Sequence, residues 1–65
     1  MDMSIYNTAK LNDVFYFIKR DVESYLQSGI NSYLKKALIG YIIYKKRKGK
    51  KSIKFLDEKL KDINE

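Results

Sequence analysis

The chain has 65 residues, 45% of them apolar, and 14 basic against eight acidic side chains for a formal net charge of +6. Cysteine and histidine are both absent, which excludes disulfides and removes the usual zinc ligands, the commonest general base and the best nucleophile. So short a chain, with neither disulfide nor metal to reinforce a modest core, is expected to gain support from a second copy, as a homodimer.

In chain order, Met3 to Thr8 comes first. Met3 and Ile5 alternate with Ser4, Tyr6 and Thr8, a pattern that admits a short N-terminal strand. The clearest periodicity follows. Leu11, Val14, Phe15, Ile18, Val22, Tyr25 and Leu26 share one face of a helix predicted over 11–27, with a stripe about 120° wide. Thr8 or Asn12 can cap its start, Asp13 suits the dipole of its first turn, and Gly29 is a natural stop. The run from Val14 to Ile18 has the propensity of a strand, but the register sustained to Leu26 favours the helix.

A second helix is predicted over 31–47, with Asn31 as N-cap and Ile30 placed to staple against Leu34 or Lys35. Tyr33, Leu34, Ala37, Leu38, Tyr41, Ile42 and Tyr44 form one broad apolar face, while Ile39 and Ile43 lie on the other side with Gly40 on the flank. A helix apolar on two sides is buried on two sides. Ile39, Gly40 and Ile43 are therefore the expected dimer interface. Gly40 costs about 1 kcal/mol in a helix interior, and close approach of another backbone would offset that. The alternative is an α+β chain in which residues 41–55 form a hairpin, Tyr41 to Lys46 pairing with Lys51 to Phe55 around a basic tip at Gly49.

A third helix is predicted over 52–63, capped by Ser52, with Ile53, Leu56, Leu60 and Ile63 on one stripe. Phe55 lies off that stripe, where it could wedge against the second helix. The expected architecture is an all-α, three-helix single domain spanning residues 1–65, paired through its second helix.

Nothing in this inventory suggests an enzyme or a cofactor. The carboxylates are scattered, the adjacent pair Asp57-Glu58 falls on a polar helix face, and Gly29, Gly40 and Gly49 are too isolated to cradle a phosphate. The start, Met1-Asp2-Met3-Ser4-Ile5, lacks the basic and apolar regions of a signal peptide. The longest uncharged apolar run, Ala37 to Tyr44, is far short of the roughly 20 residues that span a bilayer. A cytoplasmic protein is expected.

Charge is the informative feature. Residues 1–34 sum to −1, residues 35–54 to +9 with no acidic group, and residues 55–65 to −2. Basic residues at the end of the second helix complement its dipole, but seven of them between Lys45 and Lys54 exceed that need. Their mutual repulsion becomes binding energy on a polyanion, through counterion release. The expected partner is nucleic acid, double-stranded DNA before RNA, bound in a regulatory or architectural role. Lys45, Lys46, Arg47, Lys48, Lys50, Lys51 and Lys54 would contact phosphates, and Lys35 and Lys36 would extend the patch. Lysine outnumbers arginine twelve to two, which fits phosphate contacts better than bidentate reading of guanine. Tyr6, Tyr16, Tyr33 and Tyr44 have the rings needed to stack on unpaired bases, but their expected place is the core or an interface. Two other partners suit the same charge. One is an acidic protein surface, met by a small interaction module or inhibitor of viral or plasmid type. The other is an anionic membrane, met by Ile39, Ile43 and the adjacent polybasic run.

Overall fold

A computed structural model describes residues 9–64. The candidate strand from Met3 to Thr8 lies outside them. Three helices follow one another, α1 Leu11–Ser28, α2 Asn31–Lys46 and α3 Lys54–Asn64, with no strand among the described residues. The hairpin alternative for 41–55 is not formed: Tyr41 to Lys46 continue α2, and Phe55 lies in α3. No helix among the described residues is long and apolar enough to cross a membrane.

The core follows from the apolar stripes. Val14, Ile18 and Val22 of α1 pack against Ala37, Tyr41 and Tyr44 of α2, and Leu56 of α3 closes the cluster. Spacings of four in α1 and of three and four in α2 put these residues on facing sides of two adjacent helices. Gly40 is buried on the same side of α2. Leu26, the last residue of the α1 stripe, is left exposed, and Ile63 at the end of α3 is too. Phe55 packs on the edge of this core, and its ring also meets that of Tyr25 in α1, centroids 6.3 Å apart, so it joins the first helix to the third.

Helix starts depart from the expected capping. α1 begins after Lys10 and α2 after Ile30, neither with a side-chain cap. Asn31 is already the first helical residue, and Ile30 before it is half exposed. Ser52 stands two residues before α3.

Helix ends are better determined. Gly29 adopts a left-handed φ of 71° and donates its N–H to the Tyr25 carbonyl at 2.7 Å, the single-bond αL termination. α2 ends differently. Lys48, not Gly49, takes the left-handed conformation, with φ 65°. Lys48 N–H reaches the Lys45 carbonyl and Gly49 N–H the Tyr44 carbonyl, each at 3.1 Å. This is the bond pair of a Schellman motif. Gly49 is needed for a separate reason, since a Cβ there would overlap the Tyr44 ring. Two neighbouring substitutions should then act in opposite directions. Lys48→Gly relieves a left-handed side-chain residue and is expected to stabilise by about 1 kcal/mol. Gly49→Ala should destabilise, because the ring it meets is buried. Chemical denaturation of both variants checks the pair; effects of the same sign would contradict it.

Candidate nucleic-acid interface

The basic segment is held in shape by two tyrosines of α2. Tyr44 and Tyr41 lie three residues apart, nearly parallel, with centroids 6.4 Å apart and planes inclined by 12°. Both rings are buried while their hydroxyls reach the loop beyond α2. The Tyr44 hydroxyl accepts the Lys51 N–H at 3.3 Å. The Tyr41 hydroxyl accepts the Ile53 N–H at 3.1 Å and donates to Asp57 Oδ1 at 2.6 Å. Tyr41 thereby does what Ser52 was expected to do, fixing the entry to α3, and it adds a tie to the helix's first turn. Burial, then the hydrogen bond to Asp57, pushes the Tyr41 phenol up to about 12. It is neutral and a competent donor at any physiological pH.

The nine basic residues of this region divide by placement. Seven share the end of α2, the loop and the start of α3. Lys35 and Lys36 stand roughly 13–17 Å back along α2, by the 1.5 Å rise per residue. Among the seven, three are partly committed to the fold. Lys45 Nζ donates to the Lys51 carbonyl at 2.9 Å and lies 5.3 Å from the Tyr41 ring centroid. Arg47, half-buried, donates from Nη1 to the Ala9 carbonyl at 2.7 Å. Lys51 Nζ sits 5.1 Å from the Phe15 centroid. Lys36 is similarly placed over Tyr33 at 5.7 Å. Lys46, Lys48, Lys50 and Lys54 are exposed, and no carboxylate among the described residues pairs with them. They form a set of cations on and at both ends of a loop that is anchored at residues 51 and 53.

The expected interface residues part company. Ile39 is 45% exposed, Gly40 is buried, and Ile43 is half-buried against the core. Ile39 belongs instead to a groove between α2 and α3 of about 420 Å³, lined by Lys35, Leu38, Ile39, Ile42, Leu60 and Ile63.

Two contributions had no signal in the sequence. One is the pair of tyrosine anchors, whose partners lie 7 to 16 residues away. The other is Lys19 of α1, whose Nζ lies 5.8 Å from the same Phe15 ring that Lys51 covers. Compared with protein-family models, with curated proteins and with solved structures, the chain matches none of them.

Proposed function

We propose that this protein binds nucleic acid through phosphate contacts made by its anchored basic loop, in a regulatory or architectural role. The observation that carries the reading is the set of exposed cations Lys46, Lys48, Lys50 and Lys54, with no carboxylate partner among the described residues, flanked by Lys45 and Lys51. Holding like charges together on a fixed loop costs stability, and phosphates would offset that cost by displacing condensed counterions. A loop already tied down by Tyr41 and Tyr44 loses little conformational freedom on binding. Changing Lys46, Lys48 and Lys50 together to glutamate, with binding followed by anisotropy of a labelled oligonucleotide, is the test of the site. Undiminished binding would contradict it.

A second reading concerns self-association. Ile39 and Ile42 are 45% and 41% exposed beside Ile63 at 66%, an apolar strip that a second copy could cover. Lys35, Ile39, Ile42 and Lys46 line one exposed side of α2 at spacings of four, three and four. An antiparallel pair of α2 helices centred on the isoleucines would set Lys35 against the partner's Lys46. Such a dimer would tighten as salt screens that repulsion, whereas nucleic-acid binding weakens with salt. Ile39→Lys should then yield monomers in sedimentation, and an unchanged mass would contradict pairing through this strip.

A further inference from the structure

We propose that the nucleic acid bound is single-stranded, and that it runs from the basic loop onto α1, where Tyr16 stacks on a base between Lys19 and Arg20. The inference rests on the nucleic-acid reading above and names its substrate class. Phosphate contacts alone suit a duplex and a single strand equally, so the discrimination must come from elsewhere on the surface.

It comes from the junction at Phe15. That ring packs on Tyr44 with centroids 5.4 Å apart, and it carries two ammonium groups, Lys51 from the loop and Lys19 from α1. The positive surface is therefore continuous across two elements that are 32 residues apart in the chain. No carboxylate among the described residues pairs with Lys19 or Lys51, so a phosphate at this junction would find two cations already gathered. One turn further round α1, Tyr16, Lys19 and Arg20 stand three and four residues apart, on one side of the helix. They line, with Glu23, a shallow hollow of about 160 Å³.

Tyr16 is 61% exposed, an unusual place for a large ring in so short a chain. It meets its neighbour Phe17 edge to face, at 5.7 Å and 66°. An exposed ring between cations is the arrangement that holds unpaired bases, by stacking and charge together. In a duplex the base faces are stacked on one another and out of reach, so Tyr16 would add nothing there. Glu23, at the rim of the same hollow, opposes a phosphate. Its removal should therefore strengthen binding.

The experiment is anisotropy on the full chain with two probes of equal length, a labelled oligothymidylate and a labelled mixed-sequence duplex. The oligothymidylate should bind more tightly and quench the tyrosine emission. Tyr16→Ala should weaken oligothymidylate binding about tenfold or more while leaving the duplex unchanged. Tyr16→Phe should restore it, and Glu23→Gln should tighten it. Because Tyr16 is exposed, an unchanged circular-dichroism melt identifies Tyr16→Ala as folded. Duplex bound as well as the oligothymidylate, or Tyr16→Ala bound like the native chain, overturns this inference and leaves the phosphate reading standing. Binding of neither probe at low salt overturns both.

Discussion

Tyr41→Phe is expected to lower stability by about 2 kcal/mol, and Tyr41→Ala to leave the chain unfolded. The phenylalanine variant keeps the buried ring but deletes one hydroxyl that serves two partners, the Ile53 N–H and the Asp57 carboxylate. Asp57 is exposed and can turn to water. The Ile53 N–H is part-buried and is left without its acceptor, which is the costlier half. Against the roughly 3–5 kcal/mol that a single core supplies in a domain this short, a loss of that size moves the unfolding transition visibly. Removing the whole ring adds a cavity at the centre of the core, a further cost of about 3–5 kcal/mol for an aromatic residue. Denaturation followed by circular dichroism decides it. A Tyr41→Phe variant as stable as the native chain would show that α3 is held by its apolar contacts alone, those of Leu56, Phe55 and Leu60.

The same hydroxyl fixes a pH dependence. The folded phenol titrates at about 12, above the ordinary value of 10.0. Between these two values the unfolded chain has released the proton and the folded chain still holds it. The unfolded state binds fewer protons, so stability falls as pH rises. The contribution is fully present below the ordinary tyrosine value and is lost as pH climbs through the folded one. Native stability should fall more steeply over that window than that of Tyr41→Phe, the difference between the two being the contribution of this hydroxyl.

Much of the fold is legible in the residues. Repeating apolar positions in α1 and α3, and Gly29 at the end of α1, place three helices because burial of a stripe needs only local spacing. The capping expectation fails where a long-range hydrogen bond replaces a local one. Ser52 has the right chemistry for a cap, but the Tyr41 hydroxyl, eleven residues earlier, holds the start of α3. Gly49 signals a turn correctly, yet the left-handed residue is Lys48, because the glycine is needed one position later to clear the Tyr44 ring.

The charge block is equally legible, as a sum. How it divides is not. That Lys45 and Arg47 hold carbonyls while Lys46, Lys48, Lys50 and Lys54 have no partner among the described residues depends on where the loop turns. Helical spacing groups Ile43 with Ile39, and the 100° step between successive residues does separate Ile39 from the core. What spacing does not show is that Ile43 lies near enough to the core edge to pack there, while Ile42 faces out beside Ile39.

The largest effect on function is expected from the exposed cations of this region. Neutralising Lys46, Lys48, Lys50 and Lys54 together to glutamine should abolish measurable binding at physiological salt, since every phosphate left without its lysine keeps its condensed counterions. Lys35→Gln and Lys36→Gln should change little, because these residues stand apart along α2. Stability should rise slightly in the quadruple variant as the crowded charges disappear, so loss of binding could not be ascribed to unfolding.

On the proposed reading, a small, countable set of cations on and beside the loop neutralises phosphates. The most direct test of that reading is the slope of log K against log salt for the native chain on oligonucleotide. Engagement of four to six phosphates predicts a slope of about −3 to −5, less steep by about one for each of Lys46, Lys48, Lys50 and Lys54 replaced singly by glutamine. A slope near zero, or one that these replacements leave unchanged, would contradict the account.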